Sequence, residues 1–186
     1  HRTEFQSSIS AYYWTHDLER NFFVGVLFAV AVYLVLYKGY TLLEDRILDL
    51  AGASAAGVAF FPMDNCGDCT TPGVSAHGGF AVTFFLCISL ICVFMSKRSL
   101  KFLAPDKRKR FRLWYGVCSG LMVGLIALAV LSRFLPSEYR QALSDHNAFF
   151  WFEAVAILAF STYWYLKTRE LDQSLSWIPF RKKREI

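Results

Sequence analysis

Apolar residues in this chain come in long runs that are separated by short charged segments. Five runs of 16–21 residues stand out, at 21–40, 47–62, 75–95, 113–132 and 148–166. A helix needs about 20 apolar residues to cross the hydrocarbon core of a bilayer, and four of the five runs are close to that length. Strands of a membrane barrel would be about 10 residues long and would alternate in polarity, which these runs do not. The pattern therefore predicts an all-α integral membrane protein, with a bundle of five transmembrane helices forming one domain over 1–186.

The second run, 47–62, differs from the other four. It is short and contains Asp49, and it is rich in small residues: Ala51, Gly52, Ala53, Ala55, Ala56, Gly57 and Ala59. Small side chains let helix backbones approach each other closely. This run is therefore predicted to be the central helix, surrounded by protein.

Basic residues are divided unequally between the two sides of the predicted bundle. Sixteen of the twenty Lys and Arg residues fall on one side: Lys38 and Arg46 at the connector between runs one and two, eight in the connector between runs three and four, and six in the tail from Lys167. The opposite side holds four: Arg2, Arg20, Arg133 and Arg140. Because Lys and Arg concentrate in cytoplasmic segments, the N-terminus is predicted outside and the C-terminus inside, in a bacterial inner membrane. The net charge of +5 then reflects topology and contact with membrane lipids rather than nucleic acid.

Polar residues collect on the predicted outer side. Glu153 interrupts the apolar stretch NAFFWFEAVAIL, and His77 opens the third run. With a rise of about 1.5 Å per residue, both lie within roughly 4–8 Å of the outer helix ends, so their side chains can meet. An ionisable residue inside a span marks a functional site or a specific partner. The predicted outer pocket comprises Glu153, His77, Asp145, His146, Ser10, Tyr13 and Arg20.

Three interpretations of Glu153 stay open at this point, and in the simplest of them Glu153 lies shallow enough in the membrane to be solvated. In the structural one it is protonated, or pairs with His77, Arg20 or a serine hydroxyl, and locks helices together. In the functional one it lines a cavity for a lipid headgroup or a substrate. A metal is not predicted, because His146 and Glu153 are two helical turns, about 10 Å, apart and metal–ligand distances are about 2 Å. No cofactor is predicted either.

A CxxC motif, Cys66 and Cys69 in NCGDCT, falls in the predicted outer loop. It has three interpretations: a loop disulfide, a redox-active pair, or half of a metal site. The remaining cysteines, Cys87, Cys92 and Cys118, lie inside spans and are interpreted as small apolar fillers. Because a membrane disulfide oxidase needs a second pair on the same side, the disulfide is the favoured interpretation.

Three stretches together resemble a family of uncharacterised bacterial membrane proteins, loosely the Frag1/DRAM-like proteins: SISAYYWTHDLERNFFVGVLFAVAVYLVLYKGY, LAGASAAGVAFFP and FWFEAVAILAFSTYWYLK. The residues that match the family's pattern are Ser8, Ser10, Tyr12, Tyr13, Gly25, Tyr37, Gly39, Tyr40, Gly52, Pro62, His77 and Glu153. The resemblance implies six helices, one of them before residue 1, and no assigned activity. Asn21 stands where the family pattern has an aspartate, and the CxxC motif is not part of the pattern.

The sequence favours a non-catalytic membrane protein whose outer pocket binds a lipid, a small molecule or a partner subunit. One alternative is an intramembrane enzyme, either a hydrolase that uses Glu153 and His77 or a thiol–disulfide oxidoreductase that uses Cys66 and Cys69. Another is an accessory subunit of a larger membrane complex. Membrane lipids, a second copy of the chain or a complex partner are the expected partners.

Overall fold

The protein is all-helical in the part of the chain that the structure, a computed structural model, describes: residues 6–63 and 75–175. Its helices are a 3-10 helix Ser10–Trp14, α1 Asp17–Leu36, α2 Leu42–Phe60, α3 Ala76–Leu90, α4 Ser96–Ser99, α5 Pro105–Ser132, α6 Ser137–Asp145 and α7 Ala148–Leu175. A π-helical segment, Ile91–Met95, joins α3 to α4, and a 3-10 turn, Leu100–Phe102, follows α4. The predicted all-α fold class is thereby confirmed.

Four helices in the described part are long and apolar enough to cross a membrane: Asp17–Leu36, Ala76–Phe94, Pro105–Ser132 and Ala148–Gln173. Many of their apolar side chains are exposed, and contact of so much apolar surface with water would be unfavourable in free energy. In α1, Leu18, Phe22 and Leu36 are each more than 70% exposed. A helix with such an exposed apolar surface is stable when hydrocarbon rather than water surrounds it.

The second predicted span is a helix, α2, but it is not among these four. Its first half carries Glu44, Asp45, Arg46 and Asp49, so its apolar stretch is short. Its small residues fit the predicted packing, because α2 contacts both α1 and α3 and buries Ala51, Gly52, Ala55 and Gly57, among others. By length and apolar composition, four of the five predicted spans therefore qualify as membrane-spanning helices among the described residues.

Helix ends differ from the ends of the apolar runs. α5 starts eight residues before the run at 113–132, with Pro105 in its first turn, and α7 continues nine residues past 166. Lys, Arg and Glu are good helix formers, so a helix continues through charged residues after it has left the hydrocarbon. The predicted boundaries mark the apolar stretch and not the helix.

The helices alternate in direction between two ends of the bundle. One end, the Glu153 end, holds Ser10, Phe61, His77 and Glu153, which contact one another. The other, the Lys167 end, holds Tyr40, Ser99, Tyr115, Lys167 and Glu170. Accordingly α1, α3 and α7 run from the Glu153 end to the Lys167 end, and α2 and α5 run back.

Gly52 lies where α1 and α2 approach each other closely. A Cβ atom at this position would lie 2.8 Å from the Ala31 carbonyl oxygen and 2.8 Å from Cγ2 of Val35. We expect Gly52→Ala to destabilise the protein by about 1–3 kcal/mol, because backbone atoms have to move apart. Unfolding of the purified protein in mixed detergent and SDS measures the change.

The matched control for Gly52→Ala is Gly120→Ala in α5, where a Cβ would meet no atom within 4 Å. Alanine is the better helix former by about 1 kcal/mol, so this variant is expected to be neutral or slightly more stable. Equal loss of stability in the two variants would contradict a close contact at Gly52.

Candidate functional site

The N-terminal segment 6–14 lies across the Glu153 end of the bundle. The backbone N–H of Phe150 donates to the Ser7 carbonyl (2.9 Å), and the Trp14 indole Nε1 donates to the Met63 carbonyl (2.7 Å). The 3-10 helix within this segment also packs on α1. The segment is thus tied to α1, to α7 and to the residues that follow α2, and it covers the bundle at this end.

Local backbone signals bring the polar side chains to this end. Ser75 caps α3, with its Oγ accepting the backbone N–H three residues along (3.2 Å), which fixes His77 in the first turn. Between α6 and α7, Asn147 has a φ of 51°. Asparagine adopts this left-handed conformation more readily than most residues. It turns the chain so that α7 begins at the next residue and Glu153 falls in its second turn.

Glu153, Ser10 and His77 form one hydrogen-bonded chain. The Ser10 backbone N–H donates to Glu153 Oε2 (3.0 Å), and the Ser10 hydroxyl lies 3.3 Å from Glu153 Oε1. The same hydroxyl lies 3.1 Å from His77 Nε2, and His77 Nδ1 lies 2.9 Å from the Phe61 carbonyl oxygen. Ser10 and His77 are buried, at 8% and 6% exposure. We call these four residues the Ser10 clasp, because they join the N-terminal segment to α3, α7 and the end of α2.

Hydrogen-bond roles within the Ser10 clasp follow from its donors and acceptors. The Phe61 carbonyl only accepts, so His77 Nδ1 carries a hydrogen and Nε2 faces the Ser10 hydroxyl. That hydroxyl has one hydrogen and two neighbours, a carboxyl and an imidazole nitrogen. If Glu153 is ionised and His77 is neutral, the hydroxyl can donate to only one of them. Both contacts become hydrogen bonds when one more proton is present, either on Glu153 or on His77. Each arrangement is neutral overall, which reduces the cost of burying a carboxyl and an imidazole here.

The other predicted pocket residues are not part of the Ser10 clasp. Arg20 pairs with Asp17 at 2.6 Å on the exposed start of α1, and not with Glu153. Tyr13 packs edge-on against the Trp14 ring, with centroids 5.2 Å apart. Asp145 and His146 are exposed where α6 ends, one turn before α7. The predicted convergence is therefore found for three of the seven candidates, Ser10, His77 and Glu153.

Cysteine and metal predictions have the following outcomes. Cys66 and Cys69 lie outside the described residues, so the disulfide stays a prediction. Cys87, Cys92 and Cys118 are buried and unpaired. Within residues 6–63 and 75–175, no three His, Cys, Asp or Glu side chains lie close enough together to hold a metal ion.

A second polar cluster, at the Lys167 end, is absent from the sequence prediction. Lys167 Nζ donates to Ser99 Oγ (2.7 Å) and to Glu170 Oε2 (3.1 Å), and the Tyr115 hydroxyl donates to the same Glu170 oxygen (2.5 Å). All four side chains are at most 5% exposed, and they form what we call the Lys167 cluster. The prediction that a tail begins at Lys167 is wrong, because α7 continues past this residue to Leu175 and the Lys167 side chain is buried in the bundle. The i,i+3 spacing of Lys167 and Glu170 is the only sequence signal for this pair.

The turn between α1 and α2 adjoins the Lys167 cluster. Lys167 Nζ lies 5.8 Å from the centre of the Tyr40 ring, within the range of a cation–π contact. Glu44, itself buried, accepts the Tyr40 backbone N–H (2.5 Å). Burial, with Glu170 and Glu44 nearby, raises the pKa of Tyr37 to about 12, so its hydroxyl stays protonated. The Lys167 end is therefore closed by a network that reaches from α7 to α1 and α2.

A shallow, open cavity of about 250 Å³ lies against α6 and the turn that precedes it. Its lining is apolar apart from a phenol and an imidazole: Leu135, Tyr139, Ala142, Leu143 and His146. Ligand sites are typically apolar concavities with a few polar groups. Of the predicted pocket residues, His146 is the one that lines this cavity.

The Ser10–His77 contact has the spacing of a nucleophile and its base, but the surroundings oppose acyl transfer. Both the N–H and the hydroxyl of Ser10 face the Glu153 carboxyl. Acyl transfer develops negative charge on an oxygen beside the nucleophile, and donors rather than a carboxylate have to face that charge. Ser10 is also buried. The geometry is that of a structural junction.

Together these features define a helical protein with four helices suited to span a membrane and a buried polar junction at each end of the bundle. The chain matches no protein family, and comparison with curated proteins and with solved structures found no similar protein. The resemblance to Frag1/DRAM-like proteins stays a prediction.

Proposed function

We propose that this protein is a non-catalytic integral membrane protein that binds the acyl chain of a lipid at its Glu153 end. The observation that carries the proposal is the open apolar cavity of about 250 Å³ along α6. Tyr139 at its edge is exposed, as aromatic side chains at the boundary between hydrocarbon and headgroups are. The Ser10 clasp supports the cavity by fixing the start of α7, which begins two residues after His146.

We further propose five membrane crossings, with the Glu153 end outside and the C-terminus in the cytoplasm of a bacterial cell. α1 and α3 run in the same direction, so the helix between them has to return across the membrane although it is the more polar one. Its charged residues lie in its first half, at the Lys167 end, and its small residues pack against its neighbours. The excess of Lys and Arg in the segments that leave the Lys167 end favours the cytoplasm for that end.

The enzyme alternatives have less support than binding. The hydrolase would use Glu153 or His77, and both of these side chains are hydrogen-bonded to Ser10 within the clasp. The oxidoreductase depends on Cys66 and Cys69, which lie outside the described residues. An accessory subunit remains compatible with the same cavity, if a partner's apolar side chain fills it instead of a lipid.

Replacing Ala142 with tryptophan tests the proposed cavity. The indole would occupy the space that Leu135, Tyr139 and Leu143 line beside it. Excluding two methylene groups of an acyl chain costs about 1.6 kcal/mol of binding, or roughly a tenfold loss of bound lipid. Native mass spectrometry of the full chain, extracted in mild detergent, measures the fraction that retains a phospholipid mass.

Gln141→Trp is the matched control, since it places the same side chain one position away, on a residue that does not line the cavity. We expect it to retain the lipid that Ala142→Trp loses. Equal lipid occupancy in both variants and the wild type would refute the cavity as the lipid site. Loss of a protein mass instead of a lipid mass would favour the accessory subunit.

A further inference from the structure

A groove at the Lys167 end lies between the start of α5 and the last turns of α7. Its volume is about 320 Å³, and it is lined by Arg110, Phe111, Trp114, Tyr165, Leu166, Arg169 and Gln173. The lining includes two arginines and no acidic residue. From these features we infer that the groove binds the phosphate of an anionic phospholipid in the adjacent membrane leaflet.

Both arginines lie at the depth of lipid headgroups. Arg110 precedes the first residue of the apolar run of α5, Leu113, by three positions, and Arg169 follows the last residue of the run of α7, Leu166, by three. At about 1.5 Å per residue, each is about 4.5 Å outside the hydrocarbon. Trp114 and Tyr165, both exposed, lie just inside them, where aromatic side chains mark the membrane interface.

Tyr165 holds the Arg169 side chain in place through Nε alone, and the other four N–H donors belong to the two terminal nitrogens. Its Nε donates to the Tyr165 hydroxyl (3.1 Å), and its guanidinium carbon lies 5.4 Å from the centre of the Tyr165 ring. A guanidinium has four more N–H groups, in a planar fork that matches the oxygens of a phosphate. Asp172 is close enough to interact with Arg169, but it does not line the groove.

Neighbouring basic residues have different roles, which makes Arg110 distinctive. Arg108, two positions earlier, donates to the carbonyls of Leu100, Lys101 and Leu103 at 3.1–3.2 Å and so fixes the turn before α5. Arg110 lines the groove instead, one helical turn from Trp114 on the same face of α5. The basic connector therefore contains a structural arginine and a ligand-binding one, in addition to charges that determine topology.

The test uses the full chain reconstituted with equal amounts of phosphatidylglycerol and phosphatidylcholine that carry the same acyl chains. Native mass spectrometry of the released protein gives the ratio of the two bound lipids. We expect the wild type to retain phosphatidylglycerol in preference. The double substitution Arg110→Gln/Arg169→Gln is expected to lower that preference roughly tenfold or more, because each basic residue contributes to binding of an anionic lipid.

Lys107→Gln/Lys109→Gln is the matched control, because it removes the same charge from exposed positions on α5 that do not line the groove. We expect it to retain the wild-type preference. An equal loss in the two double variants would reduce the effect to net charge and overturn the inference, as would no loss in either. The single variant Arg110→Gln, also at an exposed position, provides an independent reading if the double variant fails to fold.

Competition with inorganic phosphate and with glycerol phosphate separates a lipid from a soluble ligand. Phosphatidylglycerol that stays bound in their presence supports the lipid. Its displacement, with phosphate masses on the protein, would overturn the lipid assignment in favour of a soluble phosphate compound. The outcome does not depend on the proposed acyl cavity, which lies at the opposite end of the bundle and is tested by other variants.

Discussion

Lys167→Met is expected to destabilise the protein by about 3–5 kcal/mol. Glu170 is fully buried, and Lys167 is the cation that neutralises it. Removing one member of a buried ion pair leaves an uncompensated charge, and this costs far more than the pair itself contributes. Unfolding in mixed detergent and SDS, followed by loss of helicity, measures the change in the free energy of unfolding.

A compensating variant distinguishes charge from packing at this position. Glu170→Gln removes the second charge and keeps an oxygen to accept the Tyr115 hydroxyl, so Lys167→Met/Glu170→Gln is expected to recover most of the lost stability. Lys101→Met, at an exposed lysine near the same end of the bundle, is the control and should stay within about 0.5 kcal/mol of the wild type. If the double variant were less stable than Lys167→Met, the buried pair would not be the reason for the effect.

Glu153→Ala is expected to cost about 2–4 kcal/mol and to release the N-terminal segment from the bundle. The substitution removes both oxygens that Ser10 contacts. A hydrogen bond to a carboxylate contributes about 1.5–3 kcal/mol, and the contributions of two bonds between the same residues are not fully additive. Two measurements check it: the unfolding free energy, and hydrogen exchange of the backbone amides of residues 10 and 11. The exchange of these amides should accelerate.

Glu153→Gln separates the shape of this side chain from its charge. The amide oxygen accepts the Ser10 N–H, and the amide nitrogen donates to the Ser10 hydroxyl, which then donates to a neutral His77. Glutamine thus reproduces the protonated form of Glu153, and we expect a loss below about 1 kcal/mol. Glu138→Ala, at an exposed acid on α6, is the control and should leave both measurements unchanged.

Coupling between Glu153 and His77 provides the sharpest check of the Ser10 clasp. Their side chains communicate through a shared hydroxyl, so the effects of Glu153→Ala and His77→Ala should be less than additive by about 1 kcal/mol or more. Additive losses would show that the two residues act separately, and the clasp would then not be a unit.

Membrane-suited helices could be predicted from the sequence because the bilayer acts on each helix separately. A run of apolar residues long enough to cross hydrocarbon has one stable backbone conformation there, the helix, whatever its neighbours are. Helix ends were less predictable, as α5 and α7 show. Good helix formers such as Lys107 and Arg169 extend these helices beyond the apolar runs.

Local signals for two helix starts are also present in the sequence. Ser75 is a serine before a helix start, and Thr41 with Glu44 has the spacing of a capping box at the start of α2, which the Thr41 hydroxyl caps in the structure. These signals depend on residues that are three positions apart, so the sequence alone contains them. They position His77 at a helix start without saying what it contacts.

Partner choice was decided by the tertiary structure. From the sequence, Glu153 could pair with His77, Arg20 or a serine. The structure assigns it Ser10, 143 positions away, and gives Arg20 to Asp17, three positions away. The sequence also did not distinguish Lys167 from the lysines of an exposed tail. Its burial depends on Ser99 and Tyr115, which belong to other helices. Hydropathy and spacing determined which segments are helices. Which polar side chains meet depended on how the helices pack, since a hydrogen bond is set by the positions of two atoms that the chain brings together only on folding.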